Sequence, residues 1–187
     1  MQDEIENAVK VLQSGGIILY PTDTIWGIGC DATNETAVEK IYHIKKREKN
    51  KSMIVLLDSY EQLKNYINDI PLIAYDLQSK SDRPVTFIYP SAKNLAKNIL
   101  ATDGSIAIRI PKKEFCNQLI KTFGKPIVST SVNLSGEPSA MSFGKISFEI
   151  LSQMDYIVQL YQDQILDTKS SRIIKLIEDG TFVIIRE

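Results

Sequence analysis

Lys45-Lys46-Arg47-Glu48-Lys49-Asn50-Lys51, then after Ser52 the run Met53-Ile54-Val55-Leu56-Leu57, decides the fold class. Upstream, residues 34–46 carry a helical period, with Val38, Ile41 and Tyr42 on the inner face. Downstream, five consecutive apolar residues have the length of a buried strand. A helix passing directly into a buried strand belongs to a mixed α/β domain. The basic run itself holds five cations and one anion in seven residues, although the chain has a net charge of -1. Cations complement the dipole at a helix C-terminus, so one reading is a solvated helix end. The other is a clamp for a polyphosphate or a carboxylate. Lys45 lies seven residues after Val38, on the side of the apolar stripe, which points the run across the core's edge toward a cleft.

Outward from there, residues 3–14 read as an amphipathic helix on Ile5, Ala8, Val9 and Leu12, stopped by Gly15-Gly16. Ile17 to Tyr20 reads as a strand buried on both faces. Pro21 to Asp31 contains too many turn-formers for a helix and reads as a loop. Thr22 and Asp23 there suit a turn after Pro21. Ser59-Tyr60-Glu61-Gln62 is a capping box that opens another helix. Pro71 suits the first turn of a helix reaching about Gln78. Strands are expected at 85–89, 155–159, 172–177 and 181–186, and helices at 92–99, 112–123 and 144–153.

Two strands carry the strongest signal. In Ser105-Ile106-Ala107-Ile108-Arg109-Ile110 the isoleucines face one side, and Ser105, Ala107 and Arg109 the other. From Ile127 to Asn133, Val128, Thr130 and Val132 oppose Ser129, Ser131 and Asn133. A solvated sheet face is one explanation. Small residues around an arginine fit a ligand floor better, because solvated faces usually carry long charged side chains.

The 187 residues suggest one domain, 1–187, that buries enough surface to need no disulfide or metal. Hydrophobic residues make up 43% and charged residues 24%, the balance of an ordinary soluble globule. Near-neutral charge argues against nonspecific coating of nucleic acid, though it allows a local basic groove. Cys30 and Cys116 lie far apart without metal-ligand spacing and read as buried thiols. The single histidine, His43, reads as a partly exposed helix residue. An acidic start with no signal-type core, and no apolar run near ~20 residues, lead to the expectation of a cytoplasmic protein without a membrane.

The chemistry is narrowed by what is missing. There is no GxxxxGK[ST], GxGxxG or GxSxG, and no His/Cys/carboxylate cluster for a metal. Cations (Lys45, Arg47, Lys51, Arg109) and hydroxyls (Thr22, Thr24, Ser129, Ser131, Ser139) remain. That inventory suits phosphoryl or nucleotidyl transfer, where the protein positions groups and neutralises oxygens.

Four motifs then stand in order: Pro21-Thr22-Asp23-Thr24-x-Trp26-Gly27, Lys45-x-Arg47-x-x-x-Lys51, Ser105-x-Ala107-x-Arg109-x-Pro111 and Ser129-x-Ser131-x-Asn133-x-Ser135-Gly136. Together they resemble the YrdC-like family, whose best-known members are threonylcarbamoyl-AMP synthases. The resemblance runs from about Ala8 to Arg186. It implies a YrdC/RibB-like α/β domain, with a twisted mixed sheet flanked by helices and a positively charged concave cleft. It implies a nucleotidyltransferase that joins L-threonine, bicarbonate or CO2, and ATP into threonylcarbamoyl-AMP and pyrophosphate, for threonylcarbamoyladenosine modification of tRNA. It assigns Thr22, Thr24, Arg109 and Ser129 to threonine, and Arg47, Lys51, Ser105, Ser131, Asn133, Ser139 and Arg186 to ATP. Lys45 and Arg47 stand as the catalytic cations. Mg²⁺ is expected to enter through ATP phosphates rather than on protein ligands. RNA or tRNA and the downstream tRNA-modifying proteins are the implied macromolecular partners.

The sequence also departs from the family. Leu56 stands where many members have a histidine, Trp26 replaces a tyrosine, and Ser79 to Pro84 lacks the common Pro-Gly-Pro. Ser170-Ser171-Arg172-Ile173 replaces a Ser-Thr-Ile pattern. The chain stops at Glu187, so no lid from a C-terminal domain is expected. A double-stranded RNA or tRNA-binding module, and a paralogue with another carbamoyl or nucleotide substrate, stay open as alternatives.

Overall fold

A computed structural model of the chain describes residues 1–48, 53–81, 83–140, 142–164 and 170–187. Six α-helices lie among them: α1 (Gln2–Gln13), α2 (Glu35–Ile44), α3 (Leu63–Tyr66), α4 (Ile73–Ser79), α5 (Glu114–Phe123) and α6 (Phe148–Leu151). The strands are β1 (Ile18–Pro21), β2 (Trp26–Gly29), β3 (Ile54–Leu56), β4 (Val85–Tyr89), β5 (Ile106–Arg109), β6 (Ile127–Ser131), β7 (Tyr156–Ile157), β8 (Arg172–Leu176) and β9 (Phe182–Arg186). They form one mixed sheet in the order β7-β1-β2-β6-β3-β5-β4-β8-β9. The β1/β7, β3/β5 and β4/β8 pairs are parallel, and the others antiparallel.

Alternation along the strands divides the core into two layers. Ile17, Leu19, Ile28, Val55, Ile106, Ile108, Val128 and Ile174 pack on one face, against the Val38-Ile41-Tyr42 stripe of α2 and the short helices beyond it. Ile18, Tyr20, Leu56 and Ile127 pack on the other, against Ile5, Ala8, Val9 and Leu12 of α1 and Phe115, Cys116, Leu119 and Ile120 of α5. The strand at Ile18 is therefore buried on both sides, which explains its continuous apolar run. Helices α1 and α5 cover only part of the second face. The uncovered part carries Ala107, Arg109, Ser129 and Ser131.

Several expectations change. Residues 26–29, read as loop, form β2, because Trp26-Gly27-Ile28-Gly29 pairs with both β1 and β6. The capping box does not form: Ser59 makes no side-chain cap bond, and a 3-10 turn at Tyr60–Gln62 leads into the short α3. The helix expected at 92–99 shrinks to a 3-10 turn at Lys97–Ile99, since Ser91 and Asn94 adopt left-handed backbone angles. The segment 144–153 holds a 3-10 turn at Phe143–Lys145 and the one-turn α6. His43 is exposed and pairs with Glu39 at 3.2 Å. No helix among the described residues is long and apolar enough to cross a membrane.

The β1–β2–β6 contact leaves no room for a side chain at Gly29. A Cβ there would lie 2.7 Å from Tyr20 Cε1 and 2.8 Å from the Val128 carbonyl oxygen. Gly29→Ala should therefore cost about 1–3 kcal/mol, as overpacking of a tight core does. Urea unfolding would show this as a lower midpoint; an unchanged midpoint would mean that the three strands part easily.

Candidate functional site

The uncovered part of the sheet floors a cavity of about 350 Å³. Its position follows from strand register. Ile54 of β3 is opposite both Ala107 of β5 and Ser129 of β6, and Ala107 is opposite Ile88 of β4. In the next row Arg109 is opposite Thr86, Thr86 opposite Ile173, and Ile173 opposite Arg186. Ile54, Ile88, Ala107, Arg109, Ser129, Ser131, Ile173 and Arg186 all line the cavity. Gly27 of β2 and residues outside the strands complete the wall, Thr22, Thr24, Arg47, Ser139, Ser170 and Ser171 among them.

The turn between β1 and β2 is closed by its own threonine. The Thr22 hydroxyl donates to the Ile25 carbonyl at 2.6 Å and accepts from the Thr24 amide at 3.3 Å. Thr22 and Thr24 are both buried, with their hydroxyls 3.4 Å apart. Gly27 keeps the floor low beside them, since a Cβ there would meet Thr22 Cγ2 at 3.0 Å and Ser129 Oγ at 3.3 Å.

Arg109 is 4% exposed, and its Nε has no hydrogen-bond partner among the described residues. A buried, unsatisfied guanidinium N–H is costly unless something accepts from it. Arg186 donates from Nε and Nη2 to the Ser171 carbonyl at 3.0 and 2.8 Å. Burial, and then the charge of Arg109, push the Arg186 guanidinium's pKa down. Burial does the same to Arg47. The described cavity wall thus holds three guanidinium groups and no carboxylate.

Eight of the expected site residues meet here: Thr22, Thr24, Arg47, Arg109, Ser129, Ser131, Ser139 and Arg186. Others are placed differently. Ser105 is not in the wall, and its hydroxyl donates to Asp103 Oδ1 at 2.5 Å. Lys51 lies outside the described residues. Lys45, 1% exposed, turns its ammonium away from the wall and into the backbone. It donates to the Ser131 carbonyl, to the Asn133 carbonyl at 2.6 Å and to Asn133 Oδ1 at 3.4 Å. The Lys45 carbonyl in turn accepts from the Ser135 amide at 2.9 Å. Lys45 therefore fastens the end of α2, and Arg47 two residues on, to the end of β6. Asn133 meets the site through this lysine. Leu56, opposite Arg109, is fully buried under α1 and α5. The apolar side of the wall, Ile88, Ile173 and Ile185, had no sequence signal beyond strand periodicity.

Neither cysteine offers a nucleophile. Burial raises the Cys30 thiol far above its ordinary range and Cys116 to about 12. Burial likewise raises the Tyr20 phenol, despite the opposing effects of Ser129 and Arg109, so it stays protonated. Among the described residues no group of three or more His, Cys, Asp or Glu could hold a metal ion.

Comparison with known proteins places this geometry. The model of the Sua5/yciO/yrdC family, described as "Telomere recombination", matches residues 10–187. A protein of Pseudoalteromonas translucida named threonylcarbamoyl-AMP synthase is 37% identical over 160 residues, 84% of this chain and 86% of that one. The crystal structure of P. abyssi Sua5 complexed with L-threonine superposes with a TM-score of 0.83 at 26% identity, covering 94% of this chain and 52% of that one. E. coli YciO superposes with a TM-score of 0.86 at 25% identity, covering 100% of this chain and 90% of that one. The chain thus spans most of the curated relative but about half the length of the P. abyssi protein.

The Lys45 fastening has a pH signature. Burial, and then the charge of Arg47, pull the Lys45 ammonium from an ordinary 10.5 down to about 8. Between those values the unfolded chain binds a proton there that the folded chain has released. Unfolding free energy from this group therefore rises with pH across that window, by up to about 3 kcal/mol. The difference in unfolding free energy between the natural chain and Lys45→Met should increase between pH 8 and pH 10. A flat difference would contradict this environment for the ammonium.

Proposed function

The chain belongs to the Sua5/yciO/yrdC family, and from that premise we propose that it is a threonylcarbamoyl-AMP synthase. It joins L-threonine, bicarbonate or CO2, and ATP, and releases pyrophosphate. The observation that carries this reading is that, among the described residues, the wall has three guanidiniums and no carboxylate, and the buried N–H of Arg109 has no partner. Such a wall favours ligands that bring negative charge, as a triphosphate and an amino-acid carboxylate do.

Arg109 would take the threonine carboxylate in a two-pronged contact, a geometry suited to guanidinium. Thr22, Thr24 and Ser129 line the same cavity, with hydroxyls that can meet the substrate's own hydroxyl and amine. Arg47, with Lys51, would face the triphosphate, while Ser131, Ser139 and Arg186 would line the nucleotide's path. Ser105 and Asn133 would act behind this layer, Asn133 through Lys45. The described wall holds no carboxylate or histidine to serve as base, so bicarbonate or a phosphate oxygen would accept the proton leaving the threonine ammonium. The nitrogen lone pair then bonds to the CO2 carbon as a C=O π pair moves onto oxygen, and the nitrogen passes its second proton to the same acceptor or to water, giving a carbamate. A carbamate oxygen attacks the α-phosphorus in line, and the bond to the pyrophosphate oxygen breaks. Preorganised cations would stabilise the charge gathering on that leaving group. With no carboxylate in the described wall, Mg²⁺ would be held by ATP oxygens and water, where it would supply further charge neutralisation. The product would pass to proteins that modify adenosine in tRNA.

Pyrophosphate release should require ATP, threonine and bicarbonate together. A rate unchanged by leaving out threonine would overturn the reading. Arg109→Lys keeps the charge and loses the fork, so it should raise the KM for threonine about tenfold or more and change the KM for ATP far less. Arg47→Ala should lower kcat by about 10²–10³, the effect of losing one preorganised donor.

A further inference from the structure

Asp23 stands between Thr22 and Thr24 but is not part of the cavity wall. Its carboxylate reaches far along the chain instead. Oδ1 accepts from the Lys113 amide at 2.6 Å, and Oδ2 from the Lys112 amide at 3.2 Å. Those amides lie three and four residues after Arg109, where the chain turns into α5. Lys113, at the N-cap position of α5, makes no side-chain cap bond. An acidic side chain from a distant turn thus meets the N–H groups at the helix entrance, where negative charge is also favoured by the dipole. A second tie runs the other way: the Cys116 thiol donates to the Pro21 carbonyl at 3.2 Å.

The sheet relates the threonine turn to Arg109 only through intervening strands. β6 and β3 intervene between β2 and β5, so the two segments share no ladder. Among the described residues, Thr22 bonds within the turn to its own neighbours, Thr24 and Ile25. The carboxylate of Asp23 is the charged link that docks the turn on the chain leaving Arg109. We infer that Asp23 is a positioning residue for the amino-acid end of the cavity: it fixes Thr22 and Thr24 relative to Arg109. Loss of its paired acceptors weakens threonine binding and spares the nucleotide. This rests on the synthase reading above, and the test separates the two.

Asp23→Asn is nearly isosteric and leaves one carbonyl oxygen to serve two N–H donors. Its KM for threonine should rise about five- to twentyfold, with the KM for ATP within about twofold and kcat at saturating threonine little changed. Asp23→Glu, which keeps the charge but displaces the carboxylate by one methylene, should show the same split and covers the case of an unstable amide variant. Unchanged threonine KM in folded variants, or a common shift in both KM values, overturns the inference, since general loosening does not choose between substrates. Natural protein that releases pyrophosphate without regard to threonine overturns the synthase reading instead. The tie is then read by amide hydrogen exchange. Faster exchange confined to residues 20–27 and 112–116 in Asp23→Asn supports it, and exchange at the natural rate overturns it.

Discussion

One face of the sheet is longer than the two helices that cover it. Helices α1 and α5 bury Ile18, Tyr20, Leu56 and Ile127, with Ile54 only partly buried at the edge of that layer. On β6 the same face continues two residues on into Ser129 and then Ser131, and β5 brings Ala107 and Arg109 alongside. A sheet floor without a helical roof cannot be lined with large apolar side chains alone without exposing them. Small hydroxyl residues and one buried guanidinium stand there instead. The cavity exists because packing stops, and its chemistry follows from what a half-covered floor tolerates.

Cations placed this way need an anchored backbone, because like charges push apart. Burial, and then the charge of Arg109, already disfavour the charge of Arg186. The structure holds them with bonds to main-chain oxygen: Arg186 to Ser171, and Lys45 to Ser131 and Asn133. Lys45 illustrates how burial assigns a role. A surface lysine could follow a phosphate, whereas this one satisfies three acceptors and fixes the relation between the basic segment and β6. A site preorganised in this manner meets charge developing on a leaving group without having to rearrange.

Much of this was legible in the residues. Strict alternation in Ile106–Arg109 and Ile127–Ser131 marked the two strands and separated their apolar side from their polar one. The helical stripe ending in the basic run located the cleft edge. Other features depended on contacts the sequence does not display. β2 looked like loop because its two glycines, which let β1 and β6 approach closely, are also turn-formers. Lys45 looked like a ligand-facing cation because motif spacing records position, not direction. Asp23 looked like a local turn residue, since its partners lie ninety positions away. The wall formed by Ile173 and Ile185 could be read only as strand, because its place beside Ile88 depends on the parallel pairing of β4 with β8.

One hollow must hold an amino acid and a nucleotide together. A crystal structure of the protein with L-threonine and a non-hydrolysable ATP analogue tests that most directly. It should place the threonine carboxylate in hydrogen-bond contact with Arg109, and the phosphates on the Arg47 side of the same cavity, with the α-phosphorus nearest the amino acid. Nucleotide bound anywhere else on the molecule, or threonine lying away from Arg109, would contradict it.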